Sequence, residues 1–151
     1  MTRRPVGRPV PGLALLALLV LAAAPGCRTV ISPYSHTAYL QATSLKARSL
    51  RLMDRASSSA TESSRDLESI RTDLDAAHEY ARGRPKNGFS TAQWERLLDS
   101  NGHLLGGFFT RWEMEGPLGA TFIVEAKRLV SDAFDTISGL ESGKVGAPPT
   151  E

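Results

Sequence analysis

The sequence predicts an all-α fold: a long N-terminal helix, with C-terminal helices packed back on it as a three- to four-helix bundle. Three observations carry that expectation. Between Ser35 and Arg82 there is neither glycine nor proline, in a chain that holds 13 of one and 9 of the other. Along that stretch, apolar or small residues recur at alternating spacings of three and four, the signature of one buried helical face. The segment from Leu118 to Ser142 repeats the same spacing most cleanly, and no segment offers a convincing strand, which would need a period of two.

Residues 1–26 precede that fold and read as a removable leader. They carry Arg3, Arg4 and Arg8 with no acidic residue, then the 12-residue apolar run Leu13–Ala24, then Pro25-Gly26. This is the three-part layout of an export signal. The run is short of the roughly 20 residues that a helix needs to cross a bilayer. The chain's one cysteine, Cys27, follows directly, and the arrangement resembles the lipobox of bacterial lipoproteins. Gly26 and Cys27 match that pattern, while Ala24 and Pro25 stand where leucine and a small residue are usual. The resemblance implies cleavage between Gly26 and Cys27 and a thioether-linked diacylglycerol on Cys27, with further acyl chains such as palmitate. Ordinary cleavage after Ala24 is the competing reading, and Pro25 beyond the scissile bond disfavours it. Arg28, and no aspartate, follows the cysteine. By the sorting rule of enterobacterial lipoproteins, this implies the outer membrane, facing the periplasm, in an organism that has one.

Removing the leader changes the electrostatics. The chain has 18 basic and 16 acidic side chains, net +2; without the three leader arginines there are 15 against 16, net −1. No cationic domain is left to neutralise a phosphate backbone, so nucleic acid is excluded as a partner. With one cysteine there is no intramolecular disulfide, and about 124 residues must hold together by packing as a single domain.

Within that domain, residues 27–34 form a tether and residues 35–142 the helical bundle. The stripe begins at Leu45, Ser49, Leu52 and Ala56 and continues through Ala60, Ser63, Leu67, Ile70, Leu74, Ala77 and Ala81, with one extra step of four in the middle. Its second half is a heptad seam of coiled-coil type. Ser59 with Glu62 reads as a capping box able to start a second helix. Yet no Gly, Pro, Asn or Asp lies between Arg55 and Arg65, so turn chemistry is missing. The sequence therefore favours one helix of about 47 residues, some 70 Å long at 1.5 Å per residue and bent near the serines, over two antiparallel helices. On this reading Leu45, Leu50, Leu52 and Met53 lack partners in their own chain and suit self-association or docking.

Gly83 ends that helix, and Arg84-Pro85-Lys86-Asn87-Gly88 is a loop. Ser90 is expected to cap a short helix through Leu98, with Gln93 as its capping-box partner. Asp99-Ser100-Asn101-Gly102 is a turn, and His103–Glu115 resumes as helix. Pro117 opens the last helix, whose stripe is Ile123, Ala126, Val130, Ala133, Ile137 and Leu140. Residues 143–151 form a Pro-containing tail expected to fray.

Little of this chain reads as chemistry. His78-Glu79 begins like a zinc-protease helix, but Arg82 stands where the second histidine belongs; no metal and no cofactor is expected. Asp99, Ser100 and His103 share one turn and read as turn residues. Asp132 and Asp135 read as a solvated helix flank. Gly106-Gly107 lets two helices approach closely or bends one. The aromatics Phe108, Trp112, Phe122 and Phe134 read as bundle core, with an apolar ligand pocket as the alternative. Arg82, Arg84, Lys86 and Asn87 form a basic loop which, with Trp94, is a candidate partner-binding site.

From Glu79-Tyr80 onward, Arg84-Pro85-Lys86-Asn87, Gln93-Trp94, Gly106-Gly107-Phe108, Trp112, Phe134-Asp135 and Leu140-Glu141 resemble uncharacterised helical lipoproteins of the cell envelope. That resemblance implies an address and a fold but no activity. The functional expectation is a non-enzymatic, membrane-anchored adapter or structural spacer. It would bind membrane lipid through the acylated cysteine and either an envelope protein or a second copy of itself. The alternative is a carrier or sensor that takes a small apolar ligand between helices.

Overall fold

The structure is a computed structural model, and it describes residues 32–143. All its regular elements are helical. They are α1 (His36–Met53), α2 (Ser64–Gly83), α3 (Gly88–Leu98), α4 (Leu105–Glu115) and α5 (Ala120–Ser142). Two short 3-10 turns, Asp54–Ser57 and Ala60–Ser63, join α1 to α2. Among the described residues, no helix is long and apolar enough to cross a membrane.

The single long helix expected over residues 35–82 is not what forms: the chain folds back at the serines. Ser58 (φ −107°, ψ 174°) and Ser59 (φ −63°, ψ 138°) are both extended, and Ser59 Oγ accepts from the Thr61 N–H. Serine can break a helix this way because its hydroxyl offers the backbone a local alternative partner. The break leaves carbonyls without intrahelical donors, and distant residues supply them. The Leu118 N–H donates to the Ala56 carbonyl at 2.8 Å, and Trp112 Nε1 donates to the Ser58 carbonyl at 2.9 Å. Every member of the stripe from Leu45 to Ala81 is buried, so the periodicity identified the buried face correctly while misjudging continuity.

Cross-helix ion pairs show the register. Arg48 meets Asp73 and Arg55 meets Asp66, so α1 and α2 are antiparallel. Lys46 with Asp135, and Lys127 with Asp54, run α5 antiparallel to α1. The carboxylates of these pairs are about half exposed or more, so each pair contributes only about 0–1 kcal/mol. The neighbours form a ring in which α1 packs on α2, α2 on α3, α3 on α5 and α5 on α1. This is an up-down-up-down four-helix arrangement. At 11 residues α3 is half the length of the 23-residue α5, and α4 lies beyond it, against α3, α5 and the second 3-10 turn. Arg71 ties α4 to α2 through two bonds to Glu113, at 2.8 and 2.7 Å, which raise its guanidinium pKa above the ordinary value.

The core runs the length of this ring. Leu45, Leu52 and Met53, expected to be exposed, are buried against α2 and α5, and Leu50, expected to be exposed too, packs at the core's edge. The hairpin and α5 together provide their cover. Gly106 gives the close helix approach expected, a Cβ there lying 2.2 Å from the carbonyl oxygen of Leu98 at the end of α3, whereas Gly107 closes on the turn instead, its Cβ lying 1.9 Å from the Gly102 carbonyl oxygen. Only glycine lets α4 start this close to the preceding turn.

Candidate functional site

Glu141, near the C-terminus of α5, is a buried carboxylate with several partners from the chain. Its residue is 2% exposed. Counting back along α5 by three or four gives Ile137, Phe134 and Val130, all buried, so Glu141 occupies a core position of its own helix. Ser90 and Asn87 do the same on α3 and the residue before it, in register with Trp94 and Leu97. Burying such groups is costly unless they bond one another. They do. Ser90 Oγ donates to Glu141 Oε1 at 2.5 Å. Asn87 Nδ2 donates to the same oxygen at 3.1 Å and to the Ala81 carbonyl at 2.9 Å. Arg84 Nη1 pairs with Oε2, and Arg84 Nη2 donates to the Pro33 carbonyl.

This lock therefore joins three parts of the chain: the segment preceding α1, the α2–α3 connection and the end of α5. Both Glu141 oxygens are occupied by donors of the chain itself. Ser90 is thus not the cap of the short helix. That helix starts earlier, at Gly88, and the Ser90 hydroxyl is spent on Glu141. Lys86, at φ 59°, takes the left-handed conformation in the loop between α2 and α3.

The basic loop is correspondingly less available to a partner than its sequence implies. Arg84 and Asn87 belong to the lock. Trp94 is 2% exposed and meets Phe134 edge-on, with ring centroids 5.9 Å apart. Arg82 is exposed and bonded to Glu79 at 2.6 Å, and Lys86 is exposed. An interface anchor must reach its partner, and Trp94 is already covered by the bundle.

The four aromatics considered for an apolar pocket do not surround one cavity. Phe108 stacks on Phe122 at 5.8 Å and contacts Trp112 at 6.5 Å, whereas Phe134 faces Trp94. Phe122 and Phe134 are twelve residues apart on α5, about 18 Å along the axis. Arg111 lies over the Phe122 ring, 4.4 Å from its centroid, and covers it from the solvent side. Phe108, Trp112 and Phe134 are fully or nearly fully buried; they are core.

The other polar candidates are dispersed. His78 Nε2 lies 3.9 Å from Glu95 Oε1. Asp99 Oδ1 accepts from the Asn101 N–H at 2.9 Å, as a turn residue does, and His103 is exposed. Asp135 pairs with Lys46 at 2.6 Å, and Asp132 lies 3.7 Å from Arg128. Among the described residues, no group of three or more His, Cys, Asp or Glu side chains is placed to hold a metal ion. Gly26 and Cys27 lie outside the described residues.

Sequence reasoning missed Glu141 and Ser90 as a pair. The available signal was a polar residue standing at a stripe position on each of two helices. No family model, curated protein or solved structure matches this chain.

Proposed function

We propose that this chain is a lipoprotein of the cell envelope, anchored through an acylated Cys27, whose helical bundle serves as a non-enzymatic adapter or structural spacer. The observation that carries the reading is the chain's one cysteine, placed directly behind a basic leader and a 12-residue apolar run. An acyl anchor of several chains holds a protein at a bilayer where one chain would not.

The bundle's architecture supports a spacer role. Only residues 28–31 separate Cys27 from the described chain, a reach of about 17 Å at most. The Arg84 bond to the Pro33 carbonyl ties that connection to the end of the bundle. Tyr34 and Tyr80 are exposed at the same end, and tyrosine suits the headgroup level of a bilayer. From there α5 extends for 23 residues, about 34 Å, so the opposite end stands clear of the surface. In an organism with two membranes, Arg28 favours outer-membrane anchorage facing the periplasm. The apolar-carrier alternative is left without a cavity among the four aromatics that motivated it.

Mass spectrometry of the native N-terminal peptide, with Cys27→Ser for comparison, tests the proposal. Acylated Cys27 in the membrane fraction, and release of the variant to the soluble fraction, are expected. A free thiol on protein recovered from the soluble fraction would refute it.

A further inference from the structure

Three of the six large apolar side chains left exposed among the described residues, Tyr34, Leu40 and Tyr80, gather at one end of the bundle. The ion pairs between α1 and α2 fix a register in which Leu40 is level with Ala81, beside Tyr80. Leu40 stands five residues beyond Ser35, and Tyr80 three before Gly83, where α2 ends. Both therefore lie within about 8 Å of that end. The other three are remote from it. Glu113, next to Met114, pairs with Arg71, nine residues and about 14 Å back along α2 from Tyr80. Val124 and Leu129 flank Lys127, whose partner Asp54 is nineteen residues, about 28 Å, beyond Ser35.

The same end clamps the chain that enters from Cys27. Ser32 is buried, and the Pro33 carbonyl accepts from Arg84 Nη2. Ser35 Oγ accepts from the Ala38 N–H at 3.2 Å and lies 3.1 Å from Tyr80 Oη. Tyr34 Oη lies 3.0 Å from His36 Nδ1. Both phenol oxygens thus have partners in the chain, while their rings stay open. Four residues separate Cys27 from the clamped segment, a leash of at most about 17 Å. An anchor at Cys27 keeps the three side chains beside the bilayer. A tether this short raises their effective concentration against it to the order of millimolar, so weak contacts suffice.

We propose that this end is a lipid-facing surface: Tyr34, Tyr80 and Leu40 seat in the headgroup layer of the membrane that holds Cys27, and the bundle stands upright on it. The inference rests on the proposed anchorage and adds which surface the lipid covers. Each headgroup layer of a bilayer is roughly 5–8 Å thick, which matches the depth over which the three side chains are spread. Tyrosine suits that layer because its ring is apolar and its hydroxyl polar. Two arginines of this end are engaged within the chain, Arg82 with Glu79 at 2.6 Å and Arg84 with Glu141. The contact is accordingly one of rings more than of charge. A folded protein domain, about 30 Å across, does not fit between bundle and bilayer on so short a leash.

Hydroxyl-radical footprinting read by mass spectrometry tests this on the protein purified from membranes and returned to phosphatidylcholine vesicles. Oxidation of Tyr34, Leu40 and Tyr80 should fall severalfold relative to Cys27→Ser free in buffer, while Met114 and Val124 should be oxidised equally in both. The protection should survive added salt. In Tyr34→Ser/Tyr80→Ser, with an unaltered circular dichroism spectrum, Leu40 should lose its protection although the protein still floats with the vesicles. Equal oxidation of the three side chains in anchored and free protein would overturn the proposal. So would protection of Met114 and Val124 alongside them, loss of protection in salt, or Leu40 protection that persists in the double variant. A free Cys27 thiol on the purified protein would defeat the anchorage reading separately. Coupling that thiol, the chain's only one, to a maleimide lipid in the same vesicles then restores an anchor at Cys27, and the same protections decide the inference.

Discussion

Replacing Arg84 by methionine removes the guanidinium from the Glu141 lock while keeping most of the side chain's bulk. The Glu141 side chain is 1% exposed, so water cannot take over the lost partner. Ser90 and Asn87 remain, but both bond Oε1, and Oε2 is left with no donor in the lock. Stranding one member of a buried ion pair costs about 3–5 kcal/mol, a large part of the roughly 5–15 kcal/mol that holds a domain together. At about 4 °C per kcal/mol for a domain of this size, the melting temperature should fall by about 12–20 °C. Urea unfolding followed by far-ultraviolet circular dichroism measures the loss directly, and its slope should stay unchanged. The double variant Arg84→Met/Glu141→Leu removes the stranded charge and should be more stable than Arg84→Met alone, despite the unpaired Ser90 and Asn87. A loss below about 1 kcal/mol for the single variant, or a double variant no better than the single, would show that the carboxylate is not held as described.

Five further substitutions probe the packing. Gly106→Ala and Gly107→Ala each drive a methyl group into backbone at 2.2 Å or less and should cost about 3 kcal/mol or more; Gly83→Ala, with nothing within 4 Å of its Cβ, should be neutral or stabilise by up to about 1 kcal/mol. Trp112→Phe deletes the N–H that satisfies the Ser58 carbonyl, and chemical denaturation should register about 0.5–1.5 kcal/mol from that bond beside the loss of ring volume. Ser49 is fully buried on α1 with no partner for its hydroxyl, so Ser49→Ala should raise stability by about 1 kcal/mol or more in the same assay.

The polar lock shows how much of the site could be read without coordinates. Arg84, Asn87 and Glu141 each stand out in the chain, and Glu141 and Ser90 each occupy an apolar register position. What could not be read is that these positions face one another. They come from segments about 50 residues apart, and only the packing of α3 on α5 brings them together. The same holds in reverse for Trp94, whose residue type suits an interface but whose partner is Phe134.

Spacing along the chain determined the all-helical class and the face each helix buries, because a 3.6-residue period records burial residue by residue. Tertiary structure alone decided that the chain turns at Ser58 and Ser59. A helix end is stable only when something receives its open carbonyls, and here those donors, Trp112 and Leu118, lie more than fifty residues downstream. Local sequence records what each residue prefers; only the folded bundle sets which distant group completes it.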